Sequence, residues 1–504
     1  MSLLAVDMGS SSCKAVAFRE DGKALAQAAQ CYNATSPHPS WSEMSPEIFW
    51  QAFQTVIRAI AAQVTRDPVE VLAFGSHGET FICVDAQQHA IRPAILNADN
   101  RAVKEANQVA EKIGRARIFE ITGLTAHAMF PVPKILWLRQ HEPDVFSRTD
   151  RFLTLPGYLL MRLGLPGYVD YSLASRFLAF DIRKRAWSPE ILSAFELSAE
   201  QFPAPAPAGT IAGQLTEKAA GNLGLKAGIR VVLGGHDQPC GALGSGVLGP
   251  GRVSASLGTY ECLVAASEAP ALSEESLAAN LNSYCHVVPD RYVTLAYFPA
   301  GIMIEWFLNL LYPAGGTTGS MTHSDLCAAL EAQASPGPTG LCITSHLLGT
   351  CNPDFDPSAA GVIAGIRLNT GRADLYKGIL EGIACEFASM AELLQKAVGN
   401  YRDVYVSGGG GRSRLGLQLR AATANRSLHR MQCNEAVCLG MAILAGVAVD
   451  KFSSYIEAVQ QVVHVQETVV PDAAIAASYA AQAMQYRMLY SSLAPLRRAQ
   501  ATCQ

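Results

Sequence analysis

The feature that most constrains the fold lies near residue 1, where two apolar strand patterns are separated by a short run of small residues. Residues 3–18 read LLAVDMGSSSCKAVAF. Glycine and serine in the turn leave backbone N–H groups and hydroxyls free to close around phosphate oxygens. Asp7, at the end of the first strand, can face a hydrated magnesium ion bound to those phosphates. The same residues also fit an ordinary hairpin with a small-residue turn.

A similar arrangement occurs about 250 residues later, where residues 252–264 read RVSASLGTYECLV. A third glycine cluster, VYVSGGGGRS at 404–413, runs into a helical pattern. Two phosphate-type hairpins indicate two similar halves that share one nucleotide, with the third cluster against the nucleoside because glycines let a flat base approach the backbone. The predicted phosphate contacts are Gly9, Ser10, Ser11, Ser12, Gly258 and Thr259, and the predicted nucleoside contacts are Gly409, Gly410 and Gly411.

Length and composition indicate a multidomain α/β protein. The chain has 504 residues, enough for two or more domains with large cores. Charged residues make up 16% and hydrophobic residues 49%, and the net charge is −4. Because no cluster of lysine and arginine occurs, neither a nucleic acid nor an anionic membrane is an expected partner.

The thirteen cysteines are scattered without CxxC pairs. This spacing argues against a disulfide framework or a structural zinc site and favours reduced thiols in a cytoplasm. The chain starts directly with a strand pattern, which is unlike a signal peptide. The most apolar stretch, residues 295–311, is interrupted by Pro299, Gly301 and Glu305 and predicts a strand that leads into a buried helix.

Strand patterns alternate with helical ones along the whole chain, which is typical of α/β domains with mixed sheets and a cleft between them. After the glycines 249–251 the strand–turn–strand pattern starts again, so we predict domains at 1–248 and 252–504. A buried strand at 231–237 ends in glycines and an acid and is followed by a predicted helix of small residues. The predicted helices cover 46–64, 102–113, 133–141, 240–247, 373–398, 415–424, 437–447 and 473–493.

Four further segments resemble the signatures of one family. They are MFPVPKILWLRQH at 129–141, YVDYSLAS at 168–175, GGHDQ at 234–238 and the stretch 361–381, in which Gly378 replaces the usual alanine or serine. Together they resemble the FGGY carbohydrate kinases nearly end to end. The resemblance implies two actin-like, ribonuclease-H-like ATPase domains, with a nucleotide and a sugar in the cleft between them.

The resemblance also implies a reaction, the phosphorylation of a small sugar or polyol by ATP with Mg²⁺. An alcohol is a poor nucleophile, so a carboxylate must accept its proton as the P–O bond forms. Asp237 is where the family places this base, although an aspartate there could also cap a helix. The first domain then holds the sugar and Asp237, and the second holds the adenosine. Lys14 and Ser413 are further expected nucleotide contacts. A homodimer is common in the family, so the resemblance implies one here.

The expected sugar loop matches neither of two known subgroups. Aligned without gaps, Glu79 falls on the histidine of "QMHG" in xylulose kinases and on the glutamate of "RET" in glycerol kinases. The expected substrate contacts are His77, Gly78, Glu79, Asp99 and Asp237, and His77 fits a structural role equally well. Arg101 fits the same motif as Asp99 or simply pairs with an acid. Trp306 and Phe307 are expected in the core rather than in the nucleotide cleft.

These residues favour a carbohydrate kinase acting on a pentulose such as D-xylulose. A second hypothesis keeps the fold and changes the substrate to another ketose, a deoxyketose or a polyol such as glycerol. A third hypothesis is a non-catalytic, actin-like nucleotide-binding protein. Asp237 distinguishes the third from the others, because a protein that only holds ATP needs no base facing a sugar.

Overall fold

The computed structural model describes residues 2–312, 322–495 and 497. Residues 1 and 504, the outer ends of the two predicted domains, lie outside this description. The strands of the first half are β1 (Ser2–Met8), β2 (Ser12–Phe18), β3 (Ala24–Cys31), β4 (Glu43–Met44), β5 (Val69–Ser76), β6 (Phe81–Val84), β7 (Ala94–Ile95), β8 (Arg151–Thr154), β9 (Val169–Asp170), β10 (Phe180–Asp181), β11 (Ala186–Trp187), β12 (Pro205–Ala206), β13 (Ile211–Gln214) and β14 (Arg230–His236).

The helices of the first half are α1 (Pro46–Gln63), α2 (Val103–Ile113), α3 (Arg115–Thr122), α4 (Pro131–His141), α5 (Pro143–Arg148), α6 (Leu155–Arg162), α7 (Tyr171–Ser175), α8 (Pro189–Ala194), α9 (Glu217–Leu223) and α10 (Asp237–Gly244). Several of them begin with proline, which is favourable at the first helical turn because the N–H it lacks has no partner there. Short 3₁₀ turns occur at Ala199–Gln201 and Gly409–Arg412.

The second half repeats the alternation of strands and helices. Its strands are β15 (Arg252–Leu257), β16 (Tyr260–Ser267), β17 (Asn282–Cys285), β18 (Tyr292–Pro299), β19 (Cys342–Thr344), β20 (Val362–Ala364), β21 (Asp403–Ser407), β22 (Ser427–Met431) and β23 (Val465–Val469). Its helices are α11 (Glu274–Ala278), α12 (Gly301–Leu311), α13 (His323–Gln333), α14 (Arg372–Val398), α15 (Arg414–Ala424), α16 (Ala436–Ala448), α17 (Tyr455–Val462) and α18 (Ala473–Ser492).

The two large sheets have the same strand arrangement. The first sheet has the order β13-β14-β5-β1-β2-β3, and the second has β17-β18-β16-β15-β21-β22-β23. In each, an antiparallel hairpin (β1–β2 or β15–β16) is followed by parallel strands on the other side, β5 and β14 or β21 and β22. The predicted duplication of a mixed α/β unit is confirmed.

Helices cover both faces of the first sheet, and two of them come from the second half. Leu4, Val6 and Met8 of β1 pack with α1 and α9, whereas Leu3 and Ala5 face the opposite way. That opposite face is covered by α10, α16 and α17. Because β1 is buried on both faces, most of its residues are apolar and form a nearly continuous run, as expected for a central strand covered on both sides.

The helices α10 and α16 cross with their backbones in contact. A Cβ on Gly244 would lie 1.9 Å from the carbonyl oxygen of Ala436, and one on Gly440 would lie 1.9 Å from that of Cys240. No side chain fits at either position. Glycine is therefore required at this crossing by the close approach of two backbones.

Two helices differ from their predictions. The buried helix predicted after Pro299 is α12, but Trp306 is 40% and Leu310 62% exposed, whereas Phe307 is 2% exposed. The prediction that Trp306 lies in the core is therefore wrong and that for Phe307 is confirmed, because neighbours on a helix point about 100° apart. The helix predicted from residue 240 begins at Asp237, whose carboxylate suits the positive end of a helix. None of the described helices is long and apolar enough to cross a membrane.

Candidate active site

A cavity of about 430 Å³ lies between the second hairpin and the third glycine cluster. Five of the predicted nucleotide contacts line it, together with the start of α12, the inner face of α13 and part of α14. These five residues, far apart in the chain, meet because β15 and β21 are parallel neighbours whose carboxyl ends lie at the same edge. They are Gly258, Thr259, Gly409, Gly410 and Ser413.

The glycines of this cavity leave room for a ligand in different ways. A Cβ on Gly409 would meet no atom within 4 Å, so the open side of this residue faces free space. A Cβ on Gly410 would lie 2.9 Å from that of Leu257, so this glycine allows the turn to pack on β15. Gly411 is buried and does not line the cavity. The Ser413 hydroxyl accepts a hydrogen bond from Gly416 N at 2.9 Å and starts α15.

A buried ion pair lines the inner wall of this cavity. Arg420 donates from Nε to Glu261 Oε2 at 3.0 Å, and its Nη2 contacts Glu261 Oε1. Both residues are 2% exposed. Burial raises the pKa of Glu261, and the adjacent guanidinium opposes this shift. The pair joins the second hairpin to α15. Removing either partner would leave the other as an uncompensated buried charge.

Replacing Gly258 with valine is expected to weaken ATP binding at least about tenfold without unfolding the protein. A Cβ at Gly258 would lie 3.5 Å from Tyr260 O, an ordinary contact, so the protein itself accommodates the side chain. The added bulk enters space that a phosphate would occupy, and removing one good interaction of about 1.4 kcal/mol is a tenfold change in affinity. Isothermal titration with ATP and thermal melting measure the two effects.

Gly221 provides a matched control for this substitution. It lies on α9, and a Cβ there would meet no atom within 4 Å, so the protein accommodates this side chain as well. Gly221→Val should leave ATP affinity unchanged. Equal affinities in folded wild-type and Gly258→Val proteins would contradict the placement of the phosphates at the second hairpin.

The first hairpin presents its turn to solvent. Gly9 N donates to Ser12 O at 2.9 Å, and the Tyr32 hydroxyl donates to Gly9 O at 2.6 Å. These two hydrogen bonds hold the turn in place. Ser10 and Ser11 are exposed at its tip. The turn is therefore both rigid and accessible, as a phosphate-binding loop requires.

Asp7 faces Lys14 across the first hairpin. Its Oδ1 is buried and has no hydrogen-bond partner among the described residues. Burial raises the pKa of Asp7 to about 7, with the positive charge of Lys14 opposing the shift and the negative charge of Glu435 adding to it. Lys14 in turn contacts Glu435, at the start of α16, with 3.3 Å between Nζ and Oε2. The pairing holds the Lys14 ammonium next to an unsatisfied carboxylate.

The residues around Asp7 fit a magnesium ion. Within the described part of the chain, no group of three or more His, Cys, Asp or Glu side chains is arranged to hold a metal. Mg²⁺ usually keeps several waters and binds one or two carboxylates plus substrate phosphates, so it needs no such group. The orphaned Asp7 oxygen, beside a turn suited to phosphates, supplies what this mode of binding requires.

Asp237 is the first residue of α10, directly after the buried strand β14. Its side chain is 22% exposed, but Oδ1 is buried and makes no hydrogen bond of normal geometry with any described residue. Burial raises the pKa of Asp237 well above its ordinary value, and the charges of Asp7 and Glu79 raise it further. Asp237 also acts electrostatically on Cys262 of β16. Residues of both hairpins thus lie near this carboxylate.

The predicted sugar loop contains one buried ion pair. Glu79 has a φ of 64°, an unusual value for a residue with a side chain, and its carboxylate accepts from Arg176 Nε. A Cβ on Gly78 would lie 3.1 Å from both Arg176 Cγ and His236 Nε2, so the loop approaches these side chains closely. A strained backbone held by a buried pair is typical of a functional site.

His77 uses both ring nitrogens inside the protein. Nδ1 lies 2.9 Å from Met8 O, and Nε2 lies 2.7 Å from the Thr80 hydroxyl. Since a carbonyl only accepts, Nδ1 carries the proton and Nε2 accepts from Thr80. Burial lowers the pKa of His77, which keeps the ring neutral. In this arrangement His77 connects the sugar loop to the end of β1.

Asp99 is fully buried in a network of charges rather than exposed. Its Oδ2 accepts from Ser42 N at 2.6 Å and from Arg101 Nη2 at 2.7 Å, and Oδ1 accepts from Arg101 Nε at 2.9 Å. Arg101 also donates to Glu43 at 2.7 Å and lies 3.9 Å from the centre of the Trp41 ring. The structure therefore gives Arg101 the ion-pairing role considered above, and both Asp99 oxygens have protein partners.

Sequence reasoning missed several residues that interact with the predicted substrate contacts or with each other beside them. Arg176 follows directly after the segment at 168–175, and its position there was the available signal. Tyr284 and Asn282 lie on β17, and no motif marks them; Arg176 Nη1 donates to Asn282 Oδ1 at 3.3 Å. Lys134 is fully buried and donates to Leu96 O at 2.6 Å, and burial lowers its pKa to about 7.

The fold is a duplicated α/β unit with a phosphate-type hairpin in each half. A glycine-lined cavity lies beside the second hairpin, and the Asp237 carboxylate lies near both. Together these features define an ATP-dependent phosphotransferase with an actin-like fold. Sequence profiles of the FGGY family of carbohydrate kinases match the chain at residues 2–244 for the N-terminal domain and 253–449 for the C-terminal domain. The chain belongs to the FGGY family of carbohydrate kinases, and it is an ATP-dependent sugar kinase.

Individual relatives agree with the family. The chain is 31% identical to a xylulose kinase of Escherichia coli K12 over 497 residues, 98% of this chain and 99% of the relative. It is 30% identical to a xylulose kinase of Klebsiella pneumoniae over 498 residues, 98% and 99% of the two chains. A crystal structure described as a xyloylose kinase from Brucella ovis superimposes with a TM-score of 0.86 at 26% identity, covering 98% of this chain and 100% of the other.

Proposed function

We propose that the protein transfers the γ-phosphoryl group of ATP to a hydroxyl of a pentulose such as D-xylulose, with Asp237 as the general base. The observation that carries the proposal is the Asp237 carboxylate. It lies at the end of a buried strand, has one unsatisfied oxygen and is close to residues of both hairpins. A raised pKa suits this role, because a general base works best when its pKa is near the operating pH.

In the proposed step, the sugar hydroxyl oxygen forms a bond to the γ-phosphorus while the bond from that phosphorus to the β,γ-bridging oxygen breaks. The hydroxyl proton moves to the Asp237 carboxylate, and ADP leaves. The backbone of the two hairpin turns holds the phosphates, and Ser10, Ser11, Ser12 and Thr259 add hydroxyl donors. Asp7 would hold Mg²⁺ through water, and the ion would supply positive charge that neutralises the phosphates. The cavity at Gly409 and Gly410 receives the nucleoside.

The pentulose is supported by the relatives named xylulose kinase, while the sugar loop itself leaves other acceptors open. Glu79 carries the carboxylate found in the glycerol kinase motif, and Gly78 carries no side chain that could contact a sugar. Selectivity among ketoses and polyols depends on a few hydrogen-bonding groups. Another ketose, a deoxyketose or glycerol is therefore the second candidate.

A panel of ketoses and polyols in a coupled ADP-release assay tests the substrate. D-xylulose should give the highest kcat/KM. A higher value for glycerol or for a deoxyketose would replace the pentulose while leaving the kinase mechanism intact. ATP turnover that none of these acceptors stimulates would contradict both the pentulose and the second candidate.

Two properties stay predictions. A cytoplasmic location agrees with the cysteines of the described residues, all of which are free thiols. A homodimer is expected only from the resemblance, and sedimentation analysis measures it.

A further inference from the structure

A tyrosine from the second half of the chain contacts the residue next to the proposed base. The Tyr284 hydroxyl lies 2.7 Å from His236 Nδ1, and His236 Nε2 lies 3.1 Å from Asp237 Oδ1. The three side chains form a continuous polar chain that ends at the base. Neither Tyr284 nor His236 has a part in the step written above.

This chain of contacts is enclosed by protein. Tyr284 is 0% exposed and His236 5% exposed. The Arg176 guanidinium carbon lies 4.8 Å from the centre of the Tyr284 ring, and the Tyr284 and His236 ring centres are 5.6 Å apart. Gly78 approaches the His236 ring from the sugar loop. Since water cannot substitute for a missing partner here, each polar contact in the chain matters more than it would at the surface.

The surroundings determine which His236 nitrogen carries the proton. Burial lowers the pKa of His236 well below its ordinary value, and the charge of Arg176 adds to this, so the ring is neutral. An unprotonated Nε2 would place a lone pair 3.1 Å from a carboxylate oxygen, which is repulsive. The favourable arrangement has Nε2–H directed at Asp237, and the Tyr284 O–H donates to the lone pair on Nδ1.

We propose that Tyr284 is a positioning residue: its hydroxyl holds His236 in the Nε2–H form, and His236 in turn orients Asp237 through Oδ1. The inference rests on the proposed function, because it requires Asp237 to be the base. With Oδ1 held by His236, Oδ2 is left for the acceptor hydroxyl. The His236–Asp237 contact is 3.1 Å long without good alignment, and catalytic hydrogen bonds often tighten when substrate binds.

The charge on Asp237 depends on groups from several elements. Asp7 of β1 and Glu79 of the sugar loop raise its pKa, whereas Arg176 and the Gln238 N–H lower it. The other titratable groups that interact with it electrostatically are Cys240 of α10, Cys262 of β16 and Tyr284 of β17. Donation from His236 favours the ionised carboxylate, so losing it should raise the pKa of Asp237.

Tyr284→Phe tests the proposal, because it removes one hydroxyl and keeps the ring that packs against Arg176. We expect kcat to fall about tenfold, the upper end of the range for the loss of one hydrogen bond between neutral groups. The acid limb of the kcat/KM profile for the sugar should move up by about one pH unit, and the KM for ATP should not change. An unchanged acid limb with a lower melting temperature would mean that Tyr284 is merely structural.

Two further variants separate the possible causes. Tyr401→Phe is a matched control, because its buried hydroxyl donates to Ala391 O at 2.9 Å, in the second half of the chain; it should leave the pH profile unchanged. His236→Gln places an amide N–H near Asp237 that has no tautomer to select. Adding Tyr284→Phe to His236→Gln should therefore have little further effect on kcat, whereas additive losses would overturn the proposal.

The outcome for Asp237 itself distinguishes the two levels of the proposal. If Asp237→Ala keeps wild-type activity, the proposed function fails, and Tyr284 has no base to position. If Asp237→Ala is inactive and Tyr284→Phe shows the wild-type pH profile, only the role of Tyr284 fails.

Discussion

Replacing Asp237 with alanine is expected to lower kcat for phosphorylation of the best sugar by about 10²–10⁴-fold, the usual loss when a positioned general base is removed. Sugar binding should weaken less than turnover, because Asp237 contacts the sugar only at the reacting hydroxyl. ATP binding should survive, because it depends on the hairpin turns. Slow ATP hydrolysis without sugar can continue, since water still reaches the phosphate. Single-turnover kinetics with titration calorimetry measure all four quantities.

Two other variants complete this test. Asp237→Asn keeps the volume and cannot accept the proton, so it should be nearly as inactive as Asp237→Ala. Asp472 caps α18 by accepting from Ala474 N and Ile475 N at 2.8 and 3.0 Å. Asp472→Ala should therefore lower stability by about 1 kcal/mol and leave kcat unchanged. A folded Asp237→Ala protein with wild-type turnover would refute the mechanism.

Replacing Asp7 with asparagine is expected to lower turnover by about 10–100-fold, the range found for residues that act on a metal through its outer shell. The loss should be greatest at low Mg²⁺ concentration, because asparagine lacks the charge that attracts the ion. Sugar affinity should change little. Steady-state kinetics over a range of Mg²⁺ and sugar concentrations measure this, and a collapse of sugar affinity alone would assign Asp7 to the sugar instead.

The same substitution should stabilise the ligand-free protein at high pH. Burial raises the pKa of Asp7 to about 7, whereas an unfolded chain has a value of about 3.9. Between these values the folded state binds a proton that the unfolded state has lost, so stability falls as pH rises. Asparagine has no charge to bury. Asp7→Asn should melt above the wild type at pH 8, and the difference should disappear toward pH 4; equal melting temperatures at pH 8 would contradict the burial of this charge.

Short-range patterns in the sequence were enough for much of the fold. The β1–β2 and β15–β16 hairpins, the long helix α14 and the final helix α18 follow from alternating or helical apolar spacing and from glycine turns. The cavity lined by Gly258 and Gly409 could be anticipated, because equivalent strands of a duplicated α/β unit end at the same edge. These features depend on neighbours along the chain or on internal repetition.

Contacts between distant residues could not be predicted in this way. The pairing of Glu79 with Arg176 needs a positive φ at Glu79 and a packed β17, and neither leaves a local signature. The ion pair between Glu261 and Arg420 joins residues 159 positions apart. Asp99 was expected to face a sugar, and only the assembled network shows both of its oxygens bound by protein. The charged side chains could be singled out from the sequence as candidates, but their partners required tertiary structure.

The covering of the first sheet by α16 and α17 has a consequence for how the protein is made. The apolar face that includes Leu3 and Ala5 is fully covered only after α16 has been synthesised. This helix begins about 190 residues after α10 ends at Gly244. At roughly 5–20 residues per second, a ribosome needs about 10–40 s to synthesise that interval. Throughout this time α10 alone covers this hydrophobic face, and the part that packs against α16 and α17 stays uncovered. The first half therefore reaches its final packing only with the late docking of α16 and α17.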